Sequence, residues 1–285
     1  MIIAVTGSSG SGGKKLAEHL TSLNHQVIKI GRQEGIDITN YNDLNKVPKF
    51  DMIFHFAAMS YVPDSYLKPQ EFYNFNFNST LNTLELSRKY DAKYVYVSSY
   101  VYGNPEYLPI DENHPLVSFN PYADTKLLCE NLCRSYNKFF NLHTIIVRPF
   151  NIYGGIQKSN FLIPSIFNQA KTGRIELNDP NPKRDLIYID DLIRLFESLI
   201  NYNDSSFEIF NAGFGKSYSV REIVELIVKL FPAKVEVNFL NKIRQNEVND
   251  TVSNNTKAKT KLNWEPKIDL PEGLSKIYSE FKLSQ

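Results

Sequence analysis

The chain has 285 residues, of which 42% are hydrophobic and 22% are charged, and its formal net charge is +1. This size and composition suffice for a large apolar core, so we expect one α/β domain that carries a smaller lobe. A charge so near balance provides no strong attraction for nucleic acid or for a membrane surface, and we expect neither as a partner.

The two cysteines, Cys129 and Cys133, lie four residues apart on a predicted helix, and no histidine or cysteine cluster completes a metal site around them. We interpret them as buried thiols. Without a disulfide framework, a reducing compartment is expected. The segment Met1 to Val5 lacks the basic leader of a signal peptide, and no apolar stretch approaches about 18 residues. The sequence therefore predicts a cytoplasmic location and no metal.

Segments with strand and helix patterns alternate along the chain. The predicted strands are Met1–Val5, Gln26–Ile30, Met52–Phe54, Tyr94–Val97, Thr144–Val147 and Phe207–Phe210, and the predicted helices are Lys14–Leu23, Asn78–Tyr90, Pro121–Asn141 and Val220–Leu230. Such alternation predicts a Rossmann-type doubly wound parallel sheet. Prolines interrupt the pattern beyond Gly154. We therefore predict a dinucleotide-binding domain over 1–154, with a returning strand near 207–211, and a mainly substrate-binding lobe over 155–285.

A glycine-rich loop follows the first predicted strand. It runs Thr6-Gly-Ser-Ser-Gly-Ser-Gly-Gly13 and ends where a helical pattern begins. A strand, a glycine turn and a helix N-terminus together form the backbone N–H cradle that binds a dinucleotide pyrophosphate. The predicted cradle residues are Gly7, Gly10, Ser11 and Gly13. The alternative is an ordinary strand-to-helix turn.

The end of the second predicted strand bears on the choice of cofactor. An NAD site usually has an acidic residue here for the adenosine ribose, whereas this chain has Ile30-Gly31-Arg32. A small residue leaves space and a guanidinium can clamp a 2′-phosphate, so NADP(H) is predicted. NAD(H) remains the alternative if Arg32 is only a surface residue of a turn.

A tyrosine and a lysine stand four apart in Tyr122-Ala-Asp-Thr-Lys126, within a predicted helix. Residues with this spacing share a helix face, so the ammonium is expected to favour ionisation of the phenol. Ser98, after a predicted strand, is expected to hydrogen-bond the same substrate oxygen. The spacing alone also fits an exposed helix face. Combined with the glycine loop, it predicts that Ser98, Tyr122 and Lys126 move a proton while a hydride is transferred.

These features occur together with further motifs, which follow one another in a fixed order along nearly the whole chain. They are His55-Phe-Ala-Ala58, Asn76-Phe-Asn-Ser-Thr80, Tyr102-Gly103, Arg148-Pro-Phe-Asn-Ile-Tyr-Gly154 and Arg184-Asp-Leu-Ile-Tyr-Ile-Asp-Asp191. In this the chain resembles extended short-chain dehydrogenases/reductases, in the branch of nucleotide-sugar epimerases, dehydratases and 4-ketoreductases. Ser11-Gly12 departs from the bulky apolar pair usual in that loop, which predicts looser packing there.

The resemblance implies further cofactor contacts. It places Phe56, Ala57 and Ala58 beside the ribose and nicotinamide, and Asp37 and Ile38 at the adenine. It also assigns Asn78 to the cofactor and gives Lys126 a hydrogen bond to the nicotinamide ribose. His55 itself is interpreted as a packed residue at a strand end rather than as a catalytic one.

The resemblance also implies a nucleotide-diphosphate sugar as substrate. It places Asn151 at the sugar and diphosphate, Arg184 at the diphosphate, and Arg244 with Glu247 near the phosphates and the nucleoside ribose. Arginine forks suit two phosphate charges, although both arginines also fit surface ion pairs. Ser99 and Tyr100 are likewise expected at the substrate. The nucleoside base and the sugar are not specified by these residues.

Three activities follow from the resemblance. Related 4,6-dehydratases carry acidic residues where this chain has Ser99 and Tyr100, so elimination of water is not expected. Arg32 favours NADPH-dependent reduction of a 4-keto-6-deoxy sugar nucleotide. An NAD-dependent 4-epimerase is the alternative, and a dinucleotide-binding regulator without turnover is a remote one because Ser98, Tyr122 and Lys126 are all present.

The family resemblance finally implies a homodimer formed through a four-helix bundle. The helices would be 78–90 and 121–141 of each subunit, whose apolar positions exceed one sheet-facing stripe. The residues expected at the interface are Leu81, Leu84, Glu85, Arg88, Leu127, Leu128, Leu132 and Tyr136. A monomer is expected instead if all these leucines pack on their own sheet.

Overall fold

The computed structural model describes residues 1–155, 157–243 and 247–283. The strands are β1 Ile2–Thr6, β2 Gln26–Ile30, β3 Met52–His55, β4 Lys93–Val97, β5 Thr144–Pro149, β6 Asn151–Tyr153, β7 Arg174–Leu177, β8 Lys183–Tyr188, β9 Phe207–Ala212, β10 Ser217–Ser219 and β11 Glu236–Phe239. The helices are α1 Ser11–Ser22, α2 Val62–Leu67, α3 Pro69–Tyr90, α4 Pro121–Phe140, α5 Leu162–Lys171, α6 Ile189–Ile200, α7 Val220–Val228, α8 Thr256–Leu262 and α9 Leu270–Leu283.

The main sheet has six strands in the order β2-β1-β3-β4-β5-β9. Every neighbouring pair in it is parallel, and β9 lies at the edge beside β5. Strands β1, β3 and β5 are mostly apolar, and all their residues except the partly buried Ile2 are buried, as expected of parallel strands covered by helices. The predicted Rossmann-type doubly wound parallel sheet is confirmed.

The register of the central strands fixes where a ligand can bind. Thr6 of β1 pairs with His55 of β3, and His55 pairs with Tyr96 of β4. The carboxyl ends of these strands therefore meet at one edge. The chain order reverses between β1 and β3, and in such sheets ligands bind in the crevice outside that reversal.

Helix α3 is longer than the sequence pattern predicted. It begins at Pro69 rather than at Asn78. Proline at a first helical turn lacks only an N–H that would be unpaired anyway, so Pro69 starts the helix. The added turns carry Asn76, whose buried amide bonds the main chain of Met59. The helix thereby anchors the loop that follows β3.

Helix α4 has defined ends, which places the predicted Tyr122 and Lys126 on its first turns. Asn120 precedes it, and its side-chain oxygen accepts from the N–H of Ala123 at 2.8 Å. Pro121 occupies the first helical position. The helix ends at Phe140, because Asn141 adopts a left-handed conformation with φ of 55°.

Residues after β5 build two small sheets beside the main one. Their strand orders are β10-β8-β6 and β11-β7. Asp185 of β8 is completely buried and accepts hydrogen bonds from the N–H groups of Phe214, Gly215 and Ser253. These hydrogen bonds connect β8, which carries Arg184, with the segments that contain Phe214 and Ser253.

One apolar cluster spans both predicted parts of the chain. Phe54 of β3 packs edge-to-face on Phe196 of α6 with ring centroids 5.7 Å apart, and the cluster continues to Trp264 and Leu274. Helix α6 follows residue 154 yet packs against α1 of the dinucleotide-binding part. The division of the chain at residue 154 stays a proposal about function.

Within the described ranges, no helix is long and apolar enough to cross a bilayer. The same residues contain no group of three or more histidine, cysteine and acidic side chains that could hold a metal ion. Cys129 and Cys133 are free and buried, as the sequence predicted. The cytoplasmic location stays a prediction.

Candidate functional site

The glycine loop is packed too closely for side chains at two of its glycines. Gly7 has a φ of +67°, and a Cβ there would lie 2.8 Å from the main-chain nitrogen of Ala57. A Cβ on Gly13 would collide with the carbonyl oxygen of Gly7, which also accepts from the N–H of Gly10 at 2.9 Å. Helix α1 starts at Ser11. The first N–H groups of a helix have no acceptor within it, and next to a glycine loop they suit a pyrophosphate.

A cavity of about 730 Å³ opens beside this loop. The predicted cofactor residues in its wall are Gly7, Arg32, Asp37, Ile38, Ala57, Ala58 and Asn78. Its other lining residues are Ser9, Ile30, Gly31, Ile36, Thr39, Met59, Glu71, Asn74 and Phe75. The size, the glycine cradle and the mixed polar and apolar lining fit the adenosine end of a dinucleotide.

Phe56 does not line this cavity. Its ring packs against Phe196 with centroids 5.0 Å apart, and a Cβ on Gly12 would lie 3.0 Å from that ring. Looser packing was expected where Ser11-Gly12 replaces a bulky pair. The Phe56 ring occupies the space that a larger residue 12 would need, so the expectation of loose packing was wrong.

Arg32 lies at the end of the cavity wall, just after β2. Its guanidinium carbon is 5.9 Å from the centre of the Phe75 ring, and the residue is exposed. A Cβ on Gly31 would lie 3.3 Å from the Glu34 carboxylate, so an acidic group also reaches this corner. The corner thus contains both a cation suited to a 2′-phosphate and a carboxylate suited to ribose hydroxyls.

The Asp37 carboxylate is held in place by its neighbours. Its Oδ1 accepts from the N–H of Thr39 at 3.0 Å and from the Thr39 hydroxyl at 2.7 Å. These hydrogen bonds lower the pKa of Asp37, so the side chain is an ionised acceptor at the wall of the cavity.

His55 lies behind the catalytic edge as a packed, neutral residue. Its ring is stacked on that of Tyr96 with centroids 6.0 Å apart, and Nδ1 lies 2.9 Å from the Thr6 hydroxyl. Burial, and secondarily the charge of Lys126, lowers the pKa of His55 to about 3. An imidazole that stays neutral supports a structural role rather than proton shuttling near neutral pH.

Lys126 is buried and points at the end of β4. Its Nζ donates to the carbonyl oxygen of Val97 at 2.8 Å and lies 4.9 Å from the centre of the Tyr96 ring. Burial lowers the pKa of Lys126 to about 8, although Cys129 and Glu130 oppose that shift. The ammonium is therefore present at neutral pH but close to titration.

The Tyr122 phenol is not more acidic than usual in this structure. Burial raises its pKa, and only a hydrogen bond with the Ser99 side chain opposes that effect. We expected the neighbouring lysine to lower it. The Lys126 ammonium lies 5.9 Å from the Tyr122 ring centre and is bound to a carbonyl oxygen instead, so this expectation was wrong for the protein without cofactor.

The two adjacent serines have different partners. The Ser98 hydroxyl donates to Oε1 of Glu130 at 2.7 Å, and Ser98 is only 4% exposed. The Ser99 side chain acts on Tyr122 by lowering the pKa of the phenol. The predicted Ser98 hydroxyl is bound to Glu130 rather than to the phenol.

The structure brings three of the predicted substrate residues together, namely Arg184, Glu247 and Tyr100. Arg184 pairs with Glu247 through its guanidinium and donates to the carbonyl oxygen of Val248 at 2.6 Å. Its charge also acts on Tyr100, whose pKa is raised by burial and lowered by Arg184. Asn151 begins β6 and is exposed. The predicted Arg244 lies outside the described residues.

Tyr100 occupies the position that an acidic residue holds in related dehydratases. Its hydroxyl donates to the carbonyl oxygen of Gly103 at 2.6 Å, and its ring packs on Phe150 with centroids 5.3 Å apart. Tyr100 therefore supplies no carboxyl group at this point. That dehydration is not the reaction stays a prediction.

The sequence reasoning missed three residues of this region. Asn76 fixes the loop after β3, and Ser9 lines the cofactor cavity beside Arg32. Asp250 lies near Tyr100, and its buried Oδ1 has no hydrogen-bond partner within 1–155, 157–243 and 247–283. A serine between two loop glycines was a usable signal for Ser9. Asn76 begins the motif Asn76-Phe-Asn-Ser-Thr80 but was given no role, and nothing in the pattern around Asp250 distinguished it from a surface polar residue.

The sequence is similar to that of known proteins over nearly its whole length. The NAD dependent epimerase/dehydratase family matches the chain over residues 3–213. A putative UDP-glucose 4-epimerase from Methanocaldococcus jannaschii is 31% identical over 99% of this chain and 98% of its own length. GDP-6-deoxy-D-mannose reductase from Pseudomonas aeruginosa is 27% identical over 98% of this chain and 96% of its own.

Solved structures give the same result. RMD from Pseudomonas aeruginosa, complexed with NADPH, aligns with a TM-score of 0.91 at 26% identity and covers 100% of this chain and 99% of that one. Pal from Bacillus thuringiensis also has a TM-score of 0.91, at 28% identity with all of both chains covered. The chain therefore belongs to the NAD dependent epimerase/dehydratase family, among the extended short-chain dehydrogenases/reductases that act as NAD(P)-dependent nucleotide-sugar epimerases and reductases.

Proposed function

We propose that this protein is a 4-ketoreductase that uses NADPH to reduce the C4 ketone of a nucleotide-linked 4-keto-6-deoxy sugar. The observation that carries the choice is Arg32, which lies in the wall of the cofactor cavity where an NAD site would have an acidic residue. GDP-6-deoxy-D-mannose reductase is a relative over nearly the whole chain, and RMD, which is similar in structure, was crystallised with NADPH.

The proposed substrate is a sugar linked to a nucleoside diphosphate. Arg184 and the partly buried Glu247 form a charged pair whose cation acts on Tyr100, and Arg184 also donates to the carbonyl oxygens of Lys183 and Val248. We propose that the guanidinium binds the diphosphate, that Asn151 and Tyr100 face the sugar, and that Glu247 accepts from nucleoside hydroxyls. Arg244 is a further candidate for the phosphates.

Proton transfer is assigned to Tyr122 with Lys126. When bound, the reduced nicotinamide supplies a hydride to the ketone carbon. Tyr122 gives its phenolic proton to the oxygen as the C=O bond becomes C–OH, and the phenolate is reprotonated from solvent. A serine hydroxyl holds that oxygen, and the Lys126 ammonium stabilises the negative charge left on the phenol.

A 4-epimerase with tightly held NAD is the second candidate. It is favoured by the putative UDP-glucose 4-epimerase that aligns with 99% of this chain, and by the Glu34 carboxylate beside Gly31. A regulator that binds a dinucleotide without turnover is disfavoured because Tyr122 and Lys126 are both present, with Lys126 buried and bound to the end of β4.

One assay separates these functions. Purified protein is incubated with NADPH and a panel of 4-keto-6-deoxy sugar nucleotides carrying GDP, dTDP, CDP or UDP, and in parallel with UDP-glucose and UDP-glucuronate. A reductase consumes NADPH in proportion to the ketone supplied. An epimerase interconverts the C4 epimers without net consumption, and bound NAD is released when the protein is denatured.

A further inference from the structure

The ammonium of Lys126 lies against an aromatic ring that has no part in the mechanism above. Its Nζ is 4.9 Å from the centre of the Tyr96 ring of β4, and it donates to the neighbouring Val97 carbonyl oxygen at 2.8 Å. Lys126 is only 3% exposed and Tyr96 only 1%. A ring face attracts a cation within about 6 Å, and the attraction is larger where water is excluded. Burial therefore places this contact where a cation–π interaction is strong.

The other groups around this ammonium do little to stabilise its charge. The titratable side chains near it include His55 of β3, Tyr96 of β4, and Tyr122, Cys129, Glu130 and Cys133 of its own helix. Burial keeps the imidazole neutral and raises the pKa of both thiols and both phenols, so these groups carry no charge near neutral pH. The Glu130 carboxylate forms its ion pair with Arg148, at 2.6 Å, rather than with Lys126. The ring face of Tyr96 and the Val97 carbonyl oxygen are therefore its close stabilising partners among the described residues.

The Tyr96 ring is itself restrained by its neighbour in the sheet. Tyr96 of β4 is in register with His55 of β3, and the two rings are stacked with centroids 6.0 Å apart and planes 22° apart. The imidazole is held in turn, since Nδ1 lies 2.9 Å from the Thr6 hydroxyl and Nε2 lies 3.3 Å from the Thr80 hydroxyl. The ring under the ammonium is thus supported by a hydrogen-bonded imidazole.

The same row of side chains begins at the cofactor cavity. Thr6 is in register with His55 and immediately precedes Gly7. Its hydroxyl accepts from the N–H of Ala57 at 3.1 Å, and both Gly7 and Ala57 line the cavity. A continuous cross-strand row of Thr6, His55 and Tyr96 therefore runs from the cavity wall to Lys126.

We propose that Tyr96 is a positioning residue for the reaction, whose ring face holds the Lys126 ammonium at the end of β4 and favours its charged form, and that His55 holds the ring in place. Tyr96 acts through Lys126 and is assigned no contact with the substrate or the cofactor. The inference rests on the proposed function for the task of Lys126. The contact between the ring and the ammonium does not depend on which sugar nucleotide reacts.

Tyr94 offers a matched control on the same strand. It is completely buried, and its ring also lies 6.0 Å from that of His55. Its hydroxyl lies 3.0 Å from that of Thr83, whereas the rings close to the Lys126 ammonium are those of Tyr96 and Tyr122. Tyr94→Leu therefore removes the same kind of side chain from the same core without removing the ring under the ammonium. A general effect of lost packing should appear equally in Tyr94→Leu and Tyr96→Leu.

The first test does not use activity. Lysine labelled with ¹³C at Cε is titrated by NMR in the cofactor-free protein, and the Lys126 signal is identified by its absence in Lys126→Met. Loss of a desolvated cation–π contact should move the Lys126 titration in Tyr96→Leu to lower pH by about one unit. Tyr94→Leu should leave it in place, as should Tyr96→Phe, which keeps the ring. An unchanged titration in Tyr96→Leu, or an equal shift in Tyr94→Leu, overturns the proposal even if no substrate is turned over.

A second variant series keeps the volume of the ring and so guards against misfolding of Tyr96→Leu. Phenylalanine bearing one, two or three fluorine atoms is incorporated at position 96, because fluorine withdraws electron density from the ring face while hardly changing its size. The Lys126 titration should move to lower pH with each added fluorine. A titration that is the same for all three rings contradicts an electrostatic role of Tyr96.

The third test measures turnover as a function of pH. The descending limb of kcat/KM should move to lower pH in Tyr96→Leu by the same amount as the Lys126 titration, and it should stay at the wild-type pH in Tyr94→Leu. A limb that stays in place in Tyr96→Leu, whatever its rate, contradicts the positioning role. If no sugar nucleotide is reduced or epimerised at all, the proposed function fails, whereas the two titrations still decide whether Tyr96 holds the ammonium.

Discussion

Lys126 donates from Nζ to the carbonyl oxygen of Val97 at 2.8 Å, which bonds the helix of Tyr122 to the strand end that precedes both serines. This contact keeps the catalytic helix in register with the sheet. It also holds the ammonium in a buried position, which is the main reason why the pKa of Lys126 is lowered to about 8.

The pH dependence of turnover should reflect the protonation state of Lys126. Below about pH 8 the ammonium is charged and can stabilise a phenolate, whereas above it the charge is lost. We therefore expect kcat/KM, which reports groups of the free enzyme, to fall by up to about tenfold per pH unit above that value. A pH–rate profile measured at constant ionic strength checks this. In Lys126→Met the descending limb should disappear and the remaining rate should be low throughout; a limb that persists in this variant would assign it to another group.

Removing the proton donor Tyr122 should lower turnover severely without unfolding the protein. Tyr122→Phe deletes only a hydroxyl, and general acid–base catalysis is worth about two to four decades in rate. We expect kcat to fall by that amount while the circular dichroism spectrum and the affinity for NADPH stay close to those of the wild type. Nearly full activity in this variant would contradict the assignment of Tyr122 as the proton donor.

Cofactor preference should depend on Arg32. We expect tighter binding of NADPH than of NADH, and a reversal of that order in Arg32→Asp. A charge-assisted clamp on a phosphate is worth about 1.5–3 kcal/mol, or about tenfold to a hundredfold in affinity. Fluorescence titration with both cofactors measures it. Lys29→Asp makes the same charge change at an exposed residue of β2 that does not line the cavity, so an equal effect there would mean that only the net charge matters.

The sequence predicted the sheet well because its strands are governed by local patterns. Buried parallel strands are apolar runs, and Gly7 and Gly13 are required by close main-chain contacts that any such loop must have. The start of α3 was missed because Asn74-Phe-Asn-Phe-Asn78 alternates aromatic and polar residues with a period of two, which is not the period of a helix.

The partner of Ser98 could not be predicted from sequence. The Ser98 hydroxyl donates to Glu130, which Arg148 also binds, and both of these residues lie far from Ser98 in the sequence. The predicted direction of the pKa shift of Tyr122 was wrong for a similar reason, because the burial that raises this pKa depends on tertiary structure.

Stability at acid pH should depend on His55. Its pKa is about 3 in the folded protein and about 6.5 when unfolded, so between these values the unfolded chain binds one more proton. Stability contributed by neutral His55 is therefore full above about pH 6.5 and is lost as the pH falls towards 3. The slope is at most about 1.4 kcal/mol per pH unit.

Urea unfolding at several pH values between 4 and 7 measures that slope. His55→Asn should be less stable at pH 7, because it alters the contacts with Thr6 and Thr80, but its stability should fall less steeply with acid. Equal slopes for wild type and variant would show that His55 does not titrate as proposed and that the carboxylates alone account for acid unfolding.

The homodimer proposed from α3 and α4 can be tested on an exposed residue. Leu84 is completely buried within its own subunit, so it is not available to a partner, and Leu132 and Tyr136 also pack partly on that core. Leu128, by contrast, is 39% exposed on α4. Near the end of the same helix, Phe139 and Phe140 are exposed by 68% and 52%. This apolar surface is what a four-helix bundle would bury.

We expect light scattering at micromolar concentration to give about twice the subunit mass of 32.8 kDa. Leu128→Glu puts a charge into the proposed interface and should shift the mass towards that of one subunit, because an unpaired charge buried between subunits is strongly unfavourable. Leu23→Glu is the matched control, since Leu23 is also 39% exposed but lies beyond α1, far from the bundle helices in sequence. A wild-type mass near 33 kDa would refute the dimer. Equal dissociation by both variants would place the interface elsewhere.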